Sequence, residues 1–204
     1  TADQRDALFN DLVQKTLARE AFSPVKNARL GLDFERDAAP LRGEFVSAAT
    51  EQKLFRAVVH LSNLRKNAHL KVSAPRSRRR RHERLTAPIR FLPDYSDPDE
   101  CSIFVSDLAV DLTVWPIEIS PPKVTPAIGD RLVGVNGHSV VAYRRMMAPF
   151  LRYSTREWLL WKFAEELAAY HPEFEITPDA ENVQLTIERD DGVQYRLTVP
   201  FLPA

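Results

Sequence analysis

Along the first third of the chain, apolar positions recur at the spacing of a helix. Leu8, Leu12, Val13, Leu17 and Ala21 share one face of a helix predicted over residues 4–22, with Asp3 placed to cap it. Ser23-Pro24 should stop it, because proline disfavours helical backbone in the residue before it. Leu41, Phe45 and Ala48-Ala49 predict a second, short helix. Leu54, Val58, Leu61 and Leu64 or Arg65 predict a third, running from Thr50, a good N-cap, to Arg65. Asn67-Ala68-His69 breaks that helix, and Leu70-Lys71-Val72 reads as a short strand.

Beyond the run Arg76–Arg84 the period falls from 3.6 to 2. Ile89 alternates with Phe91, and Ile103 with Val105. Leu132, Val133 and Val135 lead into Asn136-Gly137, residues that tolerate positive φ and therefore suit a tight hairpin turn. Val183, Leu185 and Ile187 form one arm of a second hairpin, Asp191-Gly192 its turn, and Val193, Tyr195, Leu197 and Val199 the other arm. Between the hairpins lie a helix predicted over Val140–Phe150 and a second one opened by Ser154-Thr155-Arg156-Glu157. This is a capping-box sequence, in which hydroxyl and carboxylate satisfy the exposed N–H groups. Along that second helix run two stripes: Trp158, Trp161, Glu165 and Ala168, and beside it Leu160, Ala164 and Leu167. Aromatic residues at helical spacing predict core, so Trp158 and Trp161 are read as buried. Pro172 ends the block. The fold class is therefore α+β, with a helical domain over 1–85 ending in a basic linker and a small β-barrel or sandwich with a helical insertion over 86–204. No internal repeat is visible.

Composition narrows the classes. The 28 basic and 28 acidic side chains cancel, and 44 % of residues are hydrophobic, which excludes a wholly disordered chain. No apolar run approaches the roughly 20 residues of a membrane span. Six arginines stand within Arg76–Arg84, and such a cluster can bind phosphates by releasing counterions. It has no interleaved aromatics for stacking on bases, and the whole chain is neutral. An exposed linker is expected and nucleic acid is not an expected partner. Cys101 is the single cysteine, so neither an intrachain disulfide nor a Cys-x-x-Cys metal site can form. The chain starts at Thr1 with no signal-peptide pattern.

The sequence holds no Gly-rich phosphate loop, no His-Glu-x-x-His pair and no Gly-x-Ser-x-Gly elbow. Asp94, Asp97, Asp99 and Glu100 crowd a proline-containing stretch without the spacing of a calcium loop, so they are read as solvated. No metal or cofactor is expected. Of the five histidines His69 stands out, because a side chain just past a helix end can project into a cleft. Acting as a base, it would need a nucleophile and an orienting group, and neither is identifiable beside it in the sequence.

The most informative stretch is Ile128-Gly129-Asp130-Arg131-Leu132-Val133-Gly134-Val135-Asn136-Gly137: a turn, an apolar strand and a tight hairpin in succession. It resembles the Gly-Asp, apolar strand, Asn-Gly core of PDZ domains, which bind extended peptides by strand addition. With a helical region first, a helix–Asn67-Ala68-His69 junction next and this unit last, nearly the whole chain resembles the tail-specific, or C-terminal-processing, serine peptidase superfamily. It is most similar to the branch containing the chlamydial secreted protease and tricorn protease. The resemblance implies that His69 is a general base, and that Gly129, Asp130, Asn136 and Gly137 form a peptide-binding or structural turn. It implies a polypeptide substrate and a periplasmic or secreted location. It also implies a partner in a C-terminal catalytic domain, absent from this chain, that carries the nucleophilic serine; without it the chain is expected to be inactive. Two departures stand out. The common members have an Asp-Gly-His-Thr-like sequence where this chain has Asn67-Ala68-His69-Leu70, and the Gly-Leu-Gly-Phe-type carboxylate loop of typical PDZ domains has no counterpart. A non-enzymatic peptide-binding module is the alternative, and the PDZ-like unit is either a grip for peptide or a scaffold.

Overall fold

Each element below comes from a computed structural model, which describes residues 1–19, 23–73, 85–97, 99–108, 117–121, 124, 126–171, 174, 176 and 181–203. The chain divides into two units, Thr1–Ala74 and Pro75–Ala204.

In the first unit, helix α1 (Ala2–Arg19) buries Phe9 and Val13. Its core face is thus rotated from the predicted one: Leu17 is exposed, and Asp3 lies within the first turn instead of capping it. Ser23-Pro24 opens helix α2 (Ser23–Leu30). Proline is tolerated in a first turn, where its missing N–H has no intrahelical partner anyway. Helix α3 (Phe34–Ala38) is capped by Asp33, whose carboxylate accepts the Arg36 N–H at 3.1 Å. A 3₁₀ turn (Ala39–Leu41) leads into α4 (Arg42–Ser47). Helix α5 (Glu51–Asn63) is capped by Thr50 as predicted. Phe9, Val13, Phe34, Ala38, Leu41, Phe45, Ala57 and Leu61 make one core, within which Phe9 meets Phe45 edge-on at 5.2 Å. At the surface, Arg42 grips the Asp6 carboxylate with two hydrogen bonds of 2.6 and 2.7 Å.

The second unit is built on antiparallel strands: β1 (Leu85–Thr86), β2 (Ile89–Pro93), β3 (Ile103–Leu108), β4 (Glu118–Ser120), β5 (Arg131–Val135), β6 (His138–Ser139), β7 (Asn182–Glu188), β8 (Gln194–Pro200) and β9 (Leu202–Pro203). The main sheet runs β2-β3-β5-β7-β8-β4, with β6 returning on β5, and β1 pairs with β9 separately. The β7–β8 hairpin pairs Asn182 with Pro200 through to Glu188 with Gln194. Val183, Leu185, Ile187, Tyr195, Leu197 and Val199 all point into the core. Val193, expected in that inward row, stays exposed in the loop because β8 begins only at Gln194. Helix α6 (Val140–Met147) tightens into a 3₁₀ turn at Ala148–Phe150, where Pro149 cannot donate to an α-helical ladder. Helix α7 (Arg156–Glu166) lies against β2. Its cap is Thr155, which accepts the Trp158 N–H at 3.1 Å, one residue later than the Ser154 start that the capping-box sequence predicts. The chain is α+β, with a helical N-terminal region followed by a mostly antiparallel sheet.

Candidate functional site

His69 is placed by the way α5 ends. Lys66 adopts a left-handed conformation (φ 46°), and its N–H donates to the Asn63 carbonyl at 2.9 Å, so the helix stops and the chain turns out. Asn67 then folds the next residues over itself. Its side-chain oxygen accepts the His69 N–H at 3.0 Å, and its carbonyl accepts the Leu70 N–H at 3.1 Å. This is an Asx turn. The side chain of Arg65, just before the turn, is buried and stacks over the Phe34 ring at 5.0 Å. One end of the turn is thereby anchored in the helical core, while His69 itself is exposed. Residues 70–72 belong to no strand among the described residues, so the expected strand there is corrected to irregular backbone. Within the turn, Asn67 supplies both the side-chain and the backbone acceptor. Among the described residues, no carboxylate orients the imidazole.

In the second unit the four turn residues fall into two locks. Gly129 (φ 98°) makes the turn before β5, and its N–H donates to the Val105 carbonyl at 2.9 Å. Asp130 is buried; its carboxylate accepts the Ala127 N–H at 2.9 Å and the Tyr195 hydroxyl at 2.6 Å. Ile128, just before Gly129, is exposed on that turn. Asn136 (φ 49°) and Gly137 (φ 80°) form the two-residue β5–β6 turn, the positive-φ pair that the right-handed twist of a hairpin prefers. Asn136 also pairs with Gln184 on β7: its N–H donates to the Gln184 carbonyl at 2.8 Å, and its side-chain oxygen accepts the Gln184 N–H at 2.9 Å. All four residues hold strands in register.

A groove of about 410 Å³ lies between β2 and α7, walled by Ile89, Phe91, Trp161, Ala164, Glu165 and Ala168. None of the four turn residues lines it. Leu160, Phe163, Ala164 and Leu167 carry the core face of α7. The neighbouring stripe of Trp161, Glu165 and Ala168 faces the groove. The tryptophans are therefore not core: Trp158 is 44 % exposed and packs on Trp161 at 5.0 Å between ring centroids. Lys162 stands over the Trp161 ring at 4.6 Å and pairs with Glu165. The sequence contains both stripes, but periodicity does not say which is inside. A wider polar depression of about 620 Å³ lies over the sheet, bordered by Ser139, Gln184, Thr186, Arg196 and Thr198.

The remaining acidic and thiol groups have structural work. Asp94 accepts the Ser96 N–H at 2.8 Å, which holds its carboxyl below the usual range. Asp97 accepts the Asp99 N–H at 2.9 Å, and Asp99 pairs with Arg156 at 2.7 Å. Among the described residues no group of histidine, cysteine, aspartate and glutamate side chains is arranged to hold a metal ion. Cys101 is buried, and burial pushes its thiol up to about 11, so it is not a thiolate near neutrality. The arginine run Arg76–Arg84 lies outside the described residues. No described helix is long and apolar enough to cross a membrane.

No family model matches this sequence, and no curated protein matches it. Solved structures do. A serine-to-alanine mutant of CPAF superposes with a TM-score of 0.64 at 12 % identity, covering 99 % of this chain and 34 % of that one. Mature CPAF gives 0.61 at 10 % identity, over 99 % and 35 %. Mature CPAF complexed with lactacystin gives 0.62 at 10 % identity, over 98 % and 35 %. Nearly all of this chain thus has the fold of about one third of CPAF.

Proposed function

We propose that this chain is the polypeptide-engaging part of a tail-specific-type serine endopeptidase, with His69 as its general base. The observation that carries the reading is the fold likeness to CPAF over 99 % of the chain. CPAF is read here as the chlamydial secreted protease of the branch named above. The exposed turn that presents His69 supports the same reading. In this mechanism a serine from a segment outside this chain attacks the substrate carbonyl as its proton passes to the His69 imidazole. The imidazolium then returns that proton to the leaving amine, and water completes the cycle by the same route. The PDZ-like unit holds the polypeptide in extended form. A periplasmic or secreted location belongs to this proposal.

The test uses the longer polypeptide that carries the serine. His69→Ala is expected to lower kcat by about 10²–10⁴-fold with little change in KM. An unchanged kcat refutes the assignment. The second reading, a peptide-binding module without catalysis, is favoured by one observation: the β2–α7 groove is complete within residues 86–168. A reading frame that stops at Ala204 would decide for it.

A further inference from the structure

Cross-strand register gathers small polar side chains on the outer face of the main sheet. Ser139, Gly134, Thr186, Arg196 and Ser120 pair in one row across β6, β5, β7, β8 and β4. Gln184, Thr198 and Glu118 form the row beside it. Their strand neighbours Leu185 and Leu197 belong to the core, on the opposite face. Both polar rows line the depression of about 620 Å³. Gly134 keeps its floor open. A Cβ there would come within 3.1 Å of the His138 carbonyl oxygen and 3.3 Å of the Thr186 side chain, so that part of the floor is bare backbone. No aromatic ring lines the depression.

Arg196 is the charge in this face that the fold leaves unanswered. The other strand arginines each meet a carboxylate on the next strand, Arg90 with Asp107 at 4.0 Å and Arg131 with Glu188. Among the described residues no carboxylate pairs with Arg196. Its guanidinium is a planar fork that matches a carboxylate with two parallel hydrogen bonds. An exposed arginine by itself holds an anion weakly, so affinity has to come from the groups around it. Those are the hydroxyls of Thr186 and Thr198 and the amide of Gln184, which both donate and accept, as ligand hydroxyls require. Glu118, diagonal to Arg196 across β8 and β4, also lines the depression and repels a second negative charge on a ligand. His138 is the remaining ionisable side chain at its rim.

We propose that this depression binds a small, singly charged acidic polyol of the sugar-acid class, with its carboxylate on Arg196 and its hydroxyls on Thr186, Thr198 and Gln184. The site lies wholly within the second unit. It depends neither on His69 nor on a serine from outside this chain.

The test is an NMR titration of the full chain with glucuronate, glucose, acetate and inorganic phosphate, read at the backbone amides of β4, β7 and β8. Glucuronate is expected to saturate these shifts. It should bind at least about tenfold more tightly than glucose, which lacks the carboxylate, or acetate, which lacks the hydroxyls. The doubly charged phosphate should bind more weakly than glucuronate, because Glu118 faces it. Arg196→Gln should weaken glucuronate by about tenfold, and Thr186→Val, which keeps the shape and removes the hydroxyl, should weaken it less. If Arg196→Gln disturbs the fold, Arg196→Lys, which keeps the charge and loses the fork, provides the same test with a smaller loss. The proposal is overturned if glucuronate does not saturate, or if acetate or phosphate binds as tightly as glucuronate. It is equally overturned if the Arg196 variants bind glucuronate as the native chain does. None of these outcomes changes the expectation for His69→Ala, so the two readings fail separately.

Discussion

The Tyr195 hydroxyl and the Asp130 carboxylate form a buried contact of 2.6 Å between side chains 65 positions apart. It ties the turn before β5 to strand β8. Tyr195→Phe leaves an Asp130 oxygen short of a donor, and a hydrogen bond to a charged group is worth about 1.5–3 kcal/mol. The expected result is a loss of that size in urea-unfolding free energy with the sheet intact by circular dichroism. The pair also sets an alkaline limit. Burial first, and the hydrogen bond to Asp130 second, hold the phenol protonated beyond its ordinary value of 10.0. The unfolded chain therefore loses this proton first. The stabilisation is present below pH 10 and declines as pH rises past it. Urea midpoints measured between about pH 9 and 11 should fall more steeply for the native protein than for Tyr195→Phe. Equal slopes would mean the phenol is not protected. At this scale turn chemistry is legible in the sequence, since Asn136-Gly137 and Asp191-Gly192 both turn the chain where their residue types require. The partner of Asp130 was not legible, because nothing local links it to Tyr195.

Helices and strands differ in how well their patterns can be read. Alternation is strict enough that β2, β3, β5, β7 and β8 fall on the runs that predict them. Helical stripes are broader, and two helices turn a different face inward from the expected one. In α1 Phe9 replaces Leu8 and Leu17 as the centre of the buried face. In α7 the tryptophan stripe lines the groove. Caps are equally sensitive to the neighbouring residue. Ser154 and Thr155 both precede the helix, and Thr155 takes the role because its oxygen reaches the Trp158 N–H. Thr155→Ala should cost about 0.5–2 kcal/mol, and Ser154→Ala clearly less, as read from thermal or urea unfolding. Equal losses would place the cap elsewhere.

Across the whole molecule two hydrophobic clusters share no residue: one gathers Phe9, Phe34, Phe45 and Leu61, the other the sheet with α6 and α7. Phe45 is fully buried in the first. Phe45→Ala should cost that cluster about 3–5 kcal/mol through lost contacts and a cavity. Native-state hydrogen exchange should show the loss in α1, α4 and α5, while β7 and β8 keep their protection. Protection falling equally in both would show one cooperative unit. The order of the two regions is visible in the change of period from 3.6 to 2. The exposed placement of His69 needed the structure, because it depends on Lys66 leaving the helix and on Arg65 being held in the core.

Local chemistry, then, was enough for the α+β class, for the hairpin turns and for most strands, because side-chain period and turn preference act over a few neighbouring residues. The order β2-β3-β5-β7-β8-β4, the edge position of β2 and the helix stripe that lies beside it came from folding alone. They depend on contacts such as Arg131 with Glu188, 57 residues apart, and Asp130 with Tyr195. Segments so far apart find each other through the packing of the entire core, and no short window of sequence contains that information.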